Sequence, residues 1–241
     1  VMNHFVQKDS IVRFHKGTFK LEKHVVWNIL TIGVSPFAMQ LAGSLVVVIQ
    51  NYALKQHGGD LALGANGIIT SVGMLLVMLI IGIAQGMQPI VGYNFGAQKL
   101  NRVKQTLRLG ILSGVVITSS GFLICELFPH AVSALFTDSD ELIDLAVEGL
   151  RLAVLMFPFV GAQIVIGNFF QSIGKAKISI FLSLTRQLLY LLPCLLLFPN
   201  WWGLKGIWIS MPVSDALAFI TAVVSLIIYI KKVSKQHPIA E

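Results

Sequence analysis

The sequence predicts an all-α integral membrane protein, a bundle of six transmembrane helices. Three observations carry that prediction. The 241 residues are 55% hydrophobic and only 12% charged, with a mean hydropathy of +0.78, whereas soluble domains run close to a quarter charged. Six apolar runs each reach the roughly 20 residues needed to cross a bilayer core about 30 Å thick. The basic residues fall in the breaks between these runs and alternate from one crossing to the next. The same composition excludes a disordered chain, which would be polar and poor in large apolar residues.

The runs are 25–52, 61–91, 107–127, 146–173, 178–198 and 207–230. Soluble core helices are seldom this long and this empty of charge. Recognisable punctuation separates them: the turn His57, Gly58, Gly59, Asp60, then the break Gly96–Asn101, Pro129, the turn Gly174–Lys177, and Pro199 to Gly203. The longest runs exceed what a membrane requires, so tilt or protrusion is expected there. The domain plan is therefore a cytoplasmic segment over 1–24, a transmembrane bundle over 25–232 and a cytoplasmic tail over 233–241.

Orientation follows from Lys and Arg, which concentrate in cytoplasmic loops. Lys8, Arg13, Lys16, Lys20 and Lys23 precede the first run, and Lys99, Arg102, Lys104 and Arg108 follow the second. Lys175 and Lys177 follow the fourth, and Lys231, Lys232 and Lys235 follow the last. The other breaks hold only Lys55, Arg151 and Lys205. With Arg186 counted on its nearer side, 15 basic residues lie on one side and 3 on the other, placing both termini in the cytoplasm. The net charge of +7 is thus a topology signal and a contact with anionic membrane lipids, each residue contributing on the order of 1 kcal/mol near the surface. Nucleic-acid binding is set aside, because it needs basic residues gathered on one folded face. Val1 is not an initiator and no signal peptide precedes the basic segment, so the expectation is the second half of a longer membrane protein.

Within the runs, Gly82/Gly86, Gly92/Gly96 and Gly110/Gly114 have the one-turn spacing that lets helix backbones approach closely in lipid. Pro36, Pro89, Pro158, Pro193 and Pro212 each remove a backbone hydrogen bond and are expected to kink their helices. Thr137 and Asp138 followed by Asp140 and Glu141 resemble a capping box at a helix start. Trp201 and Trp202 read as interfacial anchors, and Cys125 and Cys194, inside apolar runs, as buried free thiols.

Asp215 is the residue that stands out. It lies deep in the last run, 16 positions before Lys231, which at about 1.5 Å per residue puts it near the bilayer centre. An ionised carboxylate there costs roughly 2.5–3.5 kcal/mol to insert, so it should face the protein interior and be paired or protonated. Arg186, in the preceding run, is the natural partner. The carboxylate is either a proton- or cation-responsive group or half of a structural ion pair, and the residues alone leave both open. Gln40, Gln163 and Asn168 are amides within the runs, with Asn51 and Asn66 nearer the outer ends. They either bond between helices or line a cavity with Phe37, Met39, Phe157 and Phe159, a combination suited to bulky lipophilic cations. There is no Ser/His/Asp arrangement, metal-spaced His/Cys cluster or phosphate-binding glycine loop, so neither an enzyme, a resident cofactor nor ATP coupling is expected.

Five segments in register with the six runs carry a family resemblance. They are Gln-Gly-Met-Gln-Pro-Ile-Val-Gly-Tyr-Asn-Phe-Gly-Ala-Gln over 85–98, Leu-Phe-Thr-Asp over 135–138, and Asn-Phe-Phe-Gln-Ser-Ile-Gly-Lys over 168–175. Thr-Arg-Gln-Leu-Leu-Tyr-Leu-Leu-Pro over 185–193 and Trp-Ile-Ser-Met-Pro-Val-Ser-Asp over 208–215 complete the set. In this order they resemble the C-terminal half of multidrug and toxic compound extrusion (MATE) transporters, closest to the bacterial multidrug-exporter branch. The resemblance implies one lobe of a twelve-helix, two-bundle antiporter in the bacterial inner membrane, exporting amphipathic cations in exchange for H+ or Na+. Residues 1–24 would then be the inter-bundle linker, and the missing N-terminal six-helix bundle of the same polypeptide the main partner. The sodium-coupled branch carries carboxylates in the first and fourth helices of this bundle. Residues 37–44 and 159–163 here contain none, which implies an ion site on the other bundle and leaves Asp215 the one deep carboxylate of this half. A flippase for lipid-linked oligosaccharides built on the same plan, and a six-helix scaffold or channel subunit, are the alternatives.

Overall fold

A computed structural model describes residues 22–236, and every described element is helical. Residues 1–21 and 237–241, with most of the expected linker and tail and with Lys8, Arg13, Lys16 and Lys20, lie outside the described residues. In chain order the elements are α1 (Lys23–Gly96), α2 (Leu100–Leu127), α3 (Pro129–Ala134), α4 (Asp140–Ala153), α5 (Phe157–Ser172), α6 (Ala176–Leu184), a π-helical stretch (Thr185–Leu191) and α7 (Leu192–Gln236). The chain divides into two compact units, one ending at Gln40 and the other beginning at Leu41. The described part of the first is helical from Lys23 and carries exposed Trp27, Leu30 and Phe37. The rest of the description concerns the second unit.

The 74-residue α1 is not one rod. Gly59 sits at φ 66°, ψ −158°, a backbone conformation that only glycine adopts without penalty. Gln50 and Asn66, 16 residues apart across this point, are joined by a side-chain hydrogen bond of 3.2 Å. A straight helix would hold them about 24 Å apart, so the chain reverses at Gly59. The same happens in α7, where Gly203 (φ 56°, ψ −134°) interrupts the helix and Leu195 and Ile207 on its two sides join one buried cluster. The two reversals lie at the same end, because a Cβ on Gly58 would meet the Leu204 side chain at 3.0 Å.

Two of the breaks therefore fall on glycines, while the prolines expected to bend the chain differ in their effect. Pro212 lies inside α7 without ending it. Pro158 starts α5, in the first turn, where its missing N–H has no intrahelical role. The expected run 146–173 is accordingly two helices, α4 and α5, bent by 57°, with Val154 closing α4 four residues before Pro158. The expected capping box is not formed either. Ser139 is the N-cap of α4, makes no side-chain capping bond and donates its backbone N–H to Thr137 Oγ1 at 3.3 Å. Asp140 and Glu141 do occupy the first turn of α4, where the helix dipole favours negative charge.

The helices pack through small residues. Of the one-turn glycine pairs, Gly110 and Gly114 are buried at the contact of α2 with α5, while Gly82 and Gly86 have open space where a Cβ would stand. A Cβ on Gly114 would come within 3.0 Å of the Gly161 carbonyl oxygen, and one on Gly161 would collide with Gly114's. Thr118, buried beside them, donates to the Gly114 carbonyl at 2.8 Å. Around this contact Val165, Ile166, Phe169 and Phe170 of α5 join Val103 and Leu107 of α2 in one core. A second core at the other end surrounds the fully buried Trp208, with Ile69, Ala146, Leu150 and Cys125.

The outside is apolar. Leu75, Leu112, Val116, Leu123, Ile220 and Ile228 are all more than half exposed, an apolar surface far beyond what a soluble monomer shows and what a lipid environment covers. Counted by length and composition alone, three described stretches are long and apolar enough to cross a membrane: Gln40–Gly96, Leu100–Leu127 and Ala176–Lys232. The bent pair of α4 and α5 makes a fourth if taken as one span.

Candidate functional site

The most buried charge among the described residues is Asp215 of α7, and it meets the chain just after α6 gives way to the π-helical stretch. Pro193 explains the change of winding. In an α-helix its ring would press on the carbonyl four residues earlier, and a widened turn just before it relieves that contact. Widened turns of this kind recur at functional positions, because they re-aim side chains out of α register. Here the stretch directs two polar side chains at α7. Arg186 Nε donates to Asp215 Oδ1 at 2.6 Å, and the Tyr190 and Thr221 hydroxyls are 2.8 Å apart.

Asp215 is the buried partner, its side chain 5% exposed against 37% for Arg186. It lies 12 residues beyond Gly203, about 18 Å along the axis. A carboxylate at such depth is tolerated because an opposite charge is hydrogen-bonded to it, and losing either partner leaves the other uncompensated. Next to Arg186, Gln187 has a buried Oε1 with no hydrogen-bond partner among the described residues, and its amide faces Gly43, whose added Cβ would lie 3.4 Å away.

Of the residues singled out from sequence, Arg186 and Asp215 are the two that the structure joins directly. Phe157 packs against the Trp208 core, and the Phe159 ring lies 5.0 Å from that of Phe219. Asn168 donates to the Ile164 carbonyl of its own helix at 3.0 Å. Gln163 keeps a buried Oε1 with no partner among the described residues. Phe37 and Gln40 are exposed in the first unit, and the side chain of Met39 lies outside the described residues. Asn51 is exposed, whereas Asn66 is buried with Gln50. Sequence reasoning missed Gln187, Tyr190 and Thr221. The usable signal was Tyr190, four residues after Arg186 and so on the same helix face.

Charge also separates the two ends of the unit. Lys55, Arg151 and Lys205, the three basic residues assigned from sequence to the outer side, are each near a carboxylate: Asp60 at 3.8 Å, Glu126 at 3.9 Å and Glu148 at 2.5 Å. Lys99, Arg102, Lys104, Arg108, Lys175, Lys177, Lys231 and Lys232 form no ion pair among the described residues. No group of three or more His, Cys, Asp or Glu side chains is placed to hold a metal among the described residues.

Comparison with known proteins is consistent with this architecture. A family model described as MatE matches residues 26–196. The multidrug export protein MepA of Staphylococcus aureus (strain MSSA476) is 23% identical over 231 residues, 94% of this chain and 49% of its own length. That of Staphylococcus saprophyticus is 21% identical over 227 residues. Among solved structures, the MATE multidrug transporter DinF-BH superposes with a TM-score of 0.77 at 34% identity, covering 93% of this chain and 50% of that one. The inward-facing form of a multidrug resistance MATE family transporter of the MOP superfamily gives 0.83 at 21% identity, over 96% and 54%. These relatives are multidrug export proteins or transporters and not enzymes, and the chain spans about half of their length.

Proposed function

This chain belongs to the MatE family, and from that membership we propose that it forms one lobe of a multidrug efflux antiporter of the bacterial plasma membrane. The observation that carries the reading is the match of nearly the whole chain to half of a MATE transporter at 34% identity. The reversals at Gly59 and Gly203 support six spans, since each splits a 57-residue apolar stretch that at about 86 Å is far longer than one crossing. The paired bases at one end and unpaired bases at the other support cytoplasmic termini.

On this reading the lobe rocks against a second six-helix bundle, so that a cavity between them faces the cytoplasm and then the outside. The substrates are amphipathic cations and the driving ion is H+ or Na+. Coupling requires that ion and substrate each bind one of the two states better. Asp215 is the coupling candidate in this lobe: protonating it, or placing Na+ beside it, weakens its hold on Arg186 and leaves the Tyr190–Thr221 bond as the remaining side-chain hydrogen bond from the π-helical stretch to α7 among the described residues. Phe37, Met39, Gln40, Phe157, Gln163 and Asn168 are candidates for the cavity wall. Co-expression of this chain with the other bundle tests the proposal. Restored efflux of a cationic dye, abolished by collapsing the ion gradient, is the expected result. Efflux by this chain alone, insensitive to such collapse, overturns it.

A further inference from the structure

At the end of the unit opposite Gly59 and Gly203, two turns and the last helix enclose a pocket of about 620 Å³. The turns are built alike. Gln98 closes α1 at φ 58° and Gly174 closes α5 at φ 74°. Each is followed by a lysine whose N–H reaches back five residues, Lys99 to Asn94 at 2.9 Å and Lys175 to Phe170 at 2.8 Å. Gln98 is the one described non-glycine residue in this left-handed region, a conformation uncommon for residues with a side chain, and it lines the pocket.

The lining has a distinct chemistry. Lys175, Lys177 and Lys232 converge from the α5–α6 turn and the end of α7, and no lining residue is acidic. None of the three is in an ion pair among the described residues. Tyr229, packed edge-on against Phe169 and Phe170, adds a phenol at the boundary between the aromatic core and the lysines. The walls continue into Phe181 and Ile228, which line the pocket and are more than half exposed. A free phosphate would need the cations alone, whereas here an apolar wall runs outward from them. That combination fits a molecule with a phosphate head and an acyl tail, and basic pockets between membrane helices are suited to such head groups.

We infer that this pocket is a binding site for an anionic phospholipid, its phosphate held by Lys175, Lys177 and Lys232 and an acyl chain lying along Phe181 and Ile228. The inference rests on the membrane placement of the chain and not on drug export, so lipid binding is measured without any transport.

The test is native mass spectrometry of the full chain in detergent, titrated with phosphatidylglycerol, phosphatidylcholine and inorganic phosphate. The expected result is phosphatidylglycerol bound at least about five-fold tighter than phosphatidylcholine. That preference is lost when Lys175, Lys177 and Lys232 are all changed to Gln, and it is retained when Arg102, Lys104 and Arg108, at the same end but outside the pocket, are changed instead. Phe181→Ser should weaken lipid binding, and millimolar phosphate should not displace the lipid. All the targeted side chains are exposed, and an unchanged elution profile and melting temperature show that each variant is folded. No preference in the unaltered chain, equal loss in both triple variants, or displacement by phosphate would each overturn the proposal, the last by showing a free-anion site.

Discussion

Arg186 and Asp215, 29 positions apart in the chain, meet at 2.6 Å between Nε and Oδ1, with the carboxylate almost wholly buried. Removing the guanidinium strands a carboxylate in an apolar interior, while removing the carboxylate strands a cation that still reaches the surface. Arg186→Ala should therefore cost more than Asp215→Asn. Because Arg186 is about one-third exposed, the loss falls toward the lower end of the roughly 3–5 kcal/mol seen on breaking buried pairs. The double variant Arg186→Met, Asp215→Asn should recover most of it. Thermal melting of the four proteins in detergent checks the order, and a double variant no more stable than Arg186→Ala would show that the two side chains are not coupled.

The contact between Gly114 and Gly161 makes a sharper statement about packing than glycine spacing alone. A side chain at 161 has to displace the backbone of α2, so Gly161→Leu should destabilise by about 1–3 kcal/mol, the range for overpacking. Gly82→Ala, with open space around it, should stay within about 0.5 kcal/mol of the parent. Equal melting points for the two variants would contradict this packing.

The reversals at Gly59 and Gly203 predict a labelling pattern. In a chain whose Cys125 and Cys194 are replaced, a cysteine at Asp60 or Lys205, both exposed, should react with a membrane-impermeant maleimide on intact cells. One at Lys99 should react only after permeabilisation. Labelling of all three from the same side would rule out two spans in Gln40–Gly96.

How much of this was legible in the sequence follows from the forces involved. The apolar runs and the punctuation by Gly59 and Gly203 were readable, because membrane length and glycine's backbone freedom act locally. The Arg186–Asp215 pair was also foreseeable, since an intramembrane carboxylate demands a partner and only one cation lay near its depth. The interruption of residues 146–173 was foreseen only as a kink at Pro158 and not as a break between two helices: a proline that kinks a helix and one that starts a helix look alike until the preceding turn is seen. Gly161 went unnoticed because its partner, Gly114, lies in another helix and no spacing rule links them. The π-helical stretch depends on how Pro193 is accommodated, which hydropathy does not encode.

We propose that this chain is a lobe of an ion-driven exporter. The most direct test of that proposal is reconstitution with the companion bundle in liposomes, measuring uptake of a cationic dye under an imposed proton or sodium gradient. The expected result is saturable accumulation of the dye against its own gradient, present only while one ion gradient stands and reduced at least about ten-fold by Asp215→Asn. Dye that merely equilibrates, at a rate indifferent to either ion, would contradict it.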